Sequence, residues 1–176
     1  MDKKFFEESE KKCWELLEKF NNEYGVFNEI DKTEKMYHSD GTGYTVNKFG
    51  ERRNFNIELK NRNQVLMENG VVSGETEKGA YTADTIMIES HKVADLLFDR
   101  ILGLEPLYIN FLHDGSIIIF NLDKLTKRPY KSDSMNIKSK GYGKFEMAKR
   151  QYLYLIDAAI FKDGKIIKKA GEEWKR

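Results

Sequence analysis

The chain has 176 residues, 40% apolar and 34% charged, with two prolines and one cysteine. That balance fits one soluble globular domain and excludes a disordered or collagen-like chain. A single cysteine excludes a disulfide framework and a cysteine-ligated zinc or iron–sulfur centre, which need several thiolates.

The net charge of +1 conceals a division. Residues 1–123 carry 15 basic and 23 acidic side chains; residues 124–176 carry 15 basic and 6 acidic. A basic third of this kind supplies phosphate contacts or a solvated lysine surface. The N-terminal run Met1-Asp2-Lys3-Lys4-Phe5-Phe6-Glu7-Glu8 is charged, with no signal-peptide or membrane-spanning pattern, so a cytoplasmic location is the expectation.

Residues 2–24 read as an amphipathic helix, because Phe6, Cys13, Leu16, Leu17, Phe20 and Tyr24 share one stripe and Gly25 is a natural stop. Cys13 belongs to that apolar face as a core thiol. Glu10 lies on its shoulder, with Phe6, Cys13, Trp14 and Leu17 as helical neighbours; Glu15 and Glu18 are its rivals by position. Val26 to Ile30 suggests a first short strand. Tyr44 and Val46 suggest a second, and Asn47 to Arg52, containing Gly50, a turn.

The next run is the most informative one. Phe55, Ile57 and Leu59 alternate with Asn56, Glu58 and Lys60, which is the period of a β-strand. Glu58 and Lys60, two apart, project from one face. A hairpin with the preceding strand brings Asp40, at the start of the first strand, to Glu58, near the end of the second. Paired carboxylates suit a hard cation, and a lysine beside them can orient or polarise a water.

This arrangement of Asp40 with Glu58-Leu59-Lys60 resembles the PD-(D/E)xK nuclease superfamily, the restriction-endonuclease-like and Holliday-junction-resolvase-like fold. The likeness covers roughly residues 1–121. Ser39 stands where the motif often has proline, and no Gln-x-x-x-Tyr element follows, which argues against the RecB-like branch. The resemblance implies an αβββαβ core with a mixed sheet flanked by helices. It implies Mg²⁺ or Mn²⁺ held by Asp40, Glu58 and the carbonyl of Leu59, with Lys60 acting on the water. A helical glutamate, for which Glu10 is the candidate, completes the site. The partner it implies is nucleic acid, DNA in the first place, and it admits a homodimer.

Residues 68–82, rich in Gly, Ser, Thr and Glu, read as a mobile loop. Thr85–Glu89 reads as a strand, and Lys92 after it as either a phosphate ligand or a solvated first-turn residue. Val93, Leu96, Leu97, Ile101 and Leu102 mark a helix ending at Gly103. Leu107–Leu112 and Ser116–Leu122 read as strands joined by His113-Asp114-Gly115. Beyond residue 122, Lys124, Lys127, Arg128, Lys138, Lys140 and Lys144 are interleaved with Tyr130, Tyr142 and Phe145, a mixture that grips phosphates and stacks on unpaired bases. Tyr152 to Phe161 reads as one strand, and Lys162-Asp163-Gly164-Lys165 as a hairpin turn into Ile166-Ile167.

The expected fold is therefore α/β, with a nuclease-like core over 1–122 and a basic, β-rich extension over 123–176 packed on the same domain. His38, His91 and His113 have no metal-ligand spacing, and no P-loop, dinucleotide fingerprint or nucleophile elbow is present. The expected function is metal-dependent phosphodiester hydrolysis. The alternatives are a non-catalytic nucleic-acid-binding module on the same fold and a small interaction protein.

Overall fold

A computed structural model of the chain describes the backbone of residues 3–34, 39–77, 79–132, 136–138, 145–147 and 149–174. Side chains are described for 7–34, 39–77, 79–131 and 149–174. His38, Lys140, Tyr142 and Lys144 lie outside the described residues, as do the side chains of Phe6, Lys138 and Phe145.

Helix α1 spans Lys3–Tyr24. Its buried stripe is Cys13, Trp14, Leu17 and Phe20, at the spacing of one helical face. The chain leaves the helix through Asn21, whose side chain accepts from Phe27 N at 2.7 Å and donates to Phe27 O at 3.1 Å. Strand β1, Glu29–Lys32, follows, slightly later than the apolar run Val26–Ile30 predicts. Phe27 instead enters the core and stacks edge-on to Phe55 at 5.9 Å.

Strands β2 (Gly41–Val46) and β3 (Arg52–Arg62) form the expected hairpin, in a register running from Gly41 opposite Ile57 to Val46 opposite Arg52. Asn47 makes the turn: its side-chain oxygen accepts from Phe49 N and Glu51 N at 2.9 and 3.0 Å. The stretch expected to be a loop is structured. Strands β4 (Val65–Leu66), β5 (Val72–Thr76) and β6 (Gly79–Ala83) form a small antiparallel sheet. Tertiary burial overrides its loop-like composition, since Val72 is fully buried and Leu66 nearly so.

Strand β7 (Thr85–Glu89) runs into α2 (Ser90–Phe98) and a 3₁₀ turn (Asp99–Leu102) that ends at Gly103, as expected. Ile101 and Leu102 stay exposed beside Phe98. Strands β8 (Leu104–Leu112), β9 (Ile117–Asn121), β10 (Tyr130–Ser132), β11 (Asn136–Lys138), β12 (Phe145–Met147) and β13 (Arg150–Tyr154) follow. A 3₁₀ turn at Leu155–Asp157 then separates β13 from β14 (Ala158–Lys162), so Tyr152–Phe161 is two strands. The break falls at Asp157, a buried carboxylate that accepts from Thr126 N, Thr126 Oγ1 and Lys127 N. The turn into β15 (Lys165–Lys168) has Asp163 and Gly164 at φ 49° and 70°, the doubly positive pattern of a tight hairpin.

The central sheet has seven strands in the order β1-β2-β3-β8-β9-β14-β15. Only β3 and β8 run parallel; every other neighbour is antiparallel. A parallel pair needs a crossover, and the segment containing α2 provides it. The last third of the chain supplies β14 and β15 to this same sheet. Strand β7 lies outside it, as an edge strand of a second sheet of order β10-β13-β7.

Two hydrophobic clusters cover the two faces. On one, Phe55, Ile57, Leu59, Leu107, Ile109 and Phe111 receive α1. On the other, Leu96 and Val93 of α2 and Ile86, Ile88 and Leu153 of the second sheet pack against Tyr108, Ile118 and Phe120. No helix among the described residues is long and apolar enough to cross a membrane.

Candidate active site

Asp40 sits one residue ahead of β2, where the ladder ends. Its backbone N donates to Ile57 O at 2.9 Å, which places it beside Glu58 on the neighbouring strand. Its carboxylate does not turn to solvent. Oδ2 accepts from the backbone N of Leu59 at 2.7 Å, a donor that β2 no longer covers. Gly41 explains the tight anchoring: a Cβ there would stand 2.7 Å from the Trp14 ring and 2.9 Å from Asp31 O. Only glycine lets α1 close on the strand at this point.

Alternation along β3 divides its side chains. Phe55, Ile57 and Leu59 enter the α1 core; Asn56, Glu58, Lys60 and Arg62 face the α2 side. Asn56 is fully buried beneath α2 and donates to Leu96 O and Asp99 Oδ2, both at 3.0 Å. Arg62 ties the layers together through Asn110 at 2.6 Å, the Tyr108 hydroxyl and Met87 O. Glu58, between them, is 6% exposed and accepts from Lys92 Nζ at 3.0 Å.

The electrostatics of this spot are unbalanced. Burial, and then the neighbouring Asp40 charge, push Glu58 up to about 7, against the pull of Lys92 and Lys60. Burial also raises Asp40, with Glu10 adding to it, while the Leu59 N–H, Lys92 and Lys60 oppose. Lys92 is pulled up by Glu58 and Asp40, which outweigh the burial working against its charge. The Cys13 thiol is raised by burial and then by Asp40. As expected, it is a buried core residue of α1.

The structure thus brings Asp40, Glu58 and Lys92 together. Lys60 is exposed, on Glu58's face, with its charge reaching both carboxylates. Glu10 is held by Lys32 Nζ at 2.7 Å and reaches Asp40 only through its charge. Among the described residues, no three His, Cys, Asp or Glu side chains gather as a ready-made metal cage. Of the expected phosphate-binding residues, Lys124 lies 3.7 Å from Glu105, Lys127 sits over the Tyr154 ring, and Arg128 is exposed.

The contact of Lys92 with Glu58 is the part of the site that sequence reasoning missed. It joins α2 to β3 across 34 residues, and no local pattern signals it. Asn56 was legible only as a polar position in an alternating strand. No family model, curated protein or solved structure matches the chain.

Proposed function

We propose that the chain is a Mg²⁺- or Mn²⁺-dependent nuclease of the PD-(D/E)xK type, with DNA as the expected substrate. The observation that carries this reading is the proximity of a buried carboxylate, Glu58, and a half-buried one, Asp40. Asp40 is clamped to Leu59 N, one residue from Glu58, and burial, with the Asp40 charge added to it, drives Glu58 up to about 7. A protein gains no stability from such crowding, so it marks a site with a task. With β4–β7 set aside in their own sheets, the central sheet and its helices run α1, β1, β2, β3, α2, β8 with β8 parallel to β3, which supports the αβββαβ reading.

The donor set fits the cation. Mg²⁺ is held by one or two carboxylates together with waters and substrate phosphates, and does not need an all-protein cage. Asp40 and Glu58 provide those carboxylates. Leu59 presents its N–H on the β2 side, and strand geometry turns its carbonyl to the same edge. A bound cation would supply a water of lowered pKa and charge neutralisation at the phosphate. Lys60, at the exposed mouth, orients that water or meets the charge that grows on the phosphate oxygens. Lys92 holds the Glu58 carboxylate in place and then offers its ammonium to the phosphate that approaches.

The Lys92–Glu58 pair also favours a second reading, a binding module in which the ammonium takes the place of the metal. One assay separates the two. Labelled duplex, junction, flap, single-stranded DNA and RNA are incubated with Mg²⁺, Mn²⁺ or EDTA. Metal-dependent scission of at least one of them is the expected result. Binding without scission under every condition selects the module.

A further inference from the structure

The second sheet turns Ile86, Ile88 and Leu153 inward, so Thr85, Met87, Tyr152 and Tyr154 face outward. Tyr130, on the edge strand β10, lies directly opposite Tyr152, with ring centroids 5.9 Å apart. Tyr130, Tyr152 and Tyr154, with Asp84 and Thr85, line a recess of about 350 Å³. Three aromatic rings on one outward face have no role in the core behind them.

The surroundings of the recess are basic. Lys127 Nζ lies 5.2 Å from the centre of the Tyr154 ring. The buried carboxylate of Asp157 fixes that placement by binding the backbone of Thr126 and Lys127. Arg128, two residues before Tyr130, and Lys131, one after it, are exposed. Asp84 and Glu89 are acidic groups on this face among the described residues.

The row Tyr154, Tyr152, Arg150 has a direction. It spans about 13 Å at 3.3 Å per residue. Arg150 pairs with Glu89, and Ser90 N donates to Lys149 O at 2.9 Å, so the row ends where α2 begins. Two residues on, Lys92 holds Glu58. Rings two apart on a strand are spaced much like successive bases of an extended single strand.

We propose that this tyrosine face is a stacking platform for unpaired bases of single-stranded nucleic acid, and that it leads the strand toward Asp40 and Glu58. It rests on the nuclease reading for its purpose and not for its binding. Aromatic stacking tolerates any base, and the flanking lysines and arginines meet the phosphates. A duplex hides its base faces and cannot use the rings.

The test is fluorescence anisotropy of the full chain in EDTA, with a labelled 15-nucleotide oligothymidine and with a mixed-sequence duplex of equal length. The single strand is expected to bind at least about tenfold more tightly than the duplex, and Tyr130→Ala and Tyr154→Ala each to weaken it about tenfold. Tyr130→Phe should bind as the wild type does, because the ring and not the hydroxyl is used. Tyr130 is 61% exposed, so its removal does not threaten folding. Equal affinity for the two probes, or a Tyr130→Ala variant with unchanged binding, overturns the platform. Repeating the measurement with Mg²⁺ keeps the two readings apart. Tyrosine-dependent binding without scission of any probe defeats the nuclease and leaves the platform. Scission unaffected by the tyrosine variants defeats the platform and leaves the nuclease.

Discussion

Glu58 and Glu105 lie on the same pair of parallel strands, three register positions apart, and have opposite fates. Glu105 is gripped by the Arg53 guanidinium through Nε at 2.6 Å and through Nη2, receives Asn121 Nδ2 at 2.8 Å, and has Lys124 nearby. These partners, Arg53 first, pull it down to about 2. Glu58 has one ammonium, deep burial and a second carboxylate beside it, and rises to about 7. The residue type and the strand pair are shared, so the difference comes from compensation. Glu105 is answered within the protein. Glu58 is left partly unanswered, which is the state a cation would complete.

On the proposed nuclease reading, the largest expected effect of this difference is on cleavage. Asp40→Asn and Glu58→Gln should each lower the cleavage rate by at least about a hundredfold, the scale on which single electrostatic groups act in a transition state. Glu105→Gln should cleave within a few-fold of the wild type. A Glu105 variant as inactive as the Glu58 variant would mean that the two carboxylates do not differ in role.

The metal gives a smaller effect. At ten times its dissociation constant a cation that binds only the folded state adds about 1.4 kcal/mol by mass action. Mg²⁺ or Mn²⁺ should therefore raise the melting temperature of the wild type and of Glu105→Gln. Asp40→Asn should abolish the rise. An equal rise in Asp40→Asn would place the cation elsewhere on the molecule.

Stability without metal sharpens the comparison further, because its sign reverses. At pH 8 Glu58→Gln replaces a buried, crowded charge by a neutral amide and should stabilise by about 1 kcal/mol, since loss of the Lys92 ion pair offsets most of the relieved strain. Glu105→Gln breaks a bidentate pair and should destabilise by a similar amount. Chemical denaturation of the two variants in EDTA reads both. Changes of the same sign would break the contrast between a strained and a satisfied carboxylate.

Much of this was legible in the sequence wherever one element dictates its own pattern. The stripe of α1, the alternation of β3 and the Asn47 turn fix the hairpin, and the hairpin alone carries Asp40 to Glu58. Legibility fails where a distant contact decides. Residues 68–82 have the composition of a loop, yet Val72 and Leu66 are recruited by the core and the segment becomes strands. The apolar run from Tyr152 to Phe161 hides a break that only the buried partners of Asp157 impose. The partners of Lys92 and Glu10 were illegible for the same reason. Each finds its ion partner on another element, Glu58 for one and Lys32 for the other.

The smallest effect, and the one most specific to the comparison, is the dependence of stability on pH in metal-free protein. The ordinary glutamate value is 4.5; Glu58 stands above it and Glu105 below it. Between 4.5 and about 7 the folded state keeps the Glu58 proton that the unfolded chain has lost, so stability falls as pH rises through that window. Asp40, also raised, slopes the same way. Between 4.5 and about 2 the unfolded chain binds the Glu105 proton that the folded state refuses, so stability falls as pH drops. The two carboxylates therefore set opposite limbs of one curve. Glu58→Gln should flatten the upper limb and leave the lower one, while Glu105→Gln should do the reverse. Denaturant midpoints at pH 3, 5 and 8 suffice to draw both limbs. An upper limb as steep in Glu58→Gln as in the wild type would show that the strained charge of this sheet is not Glu58. The weight of the site would then shift to Asp40.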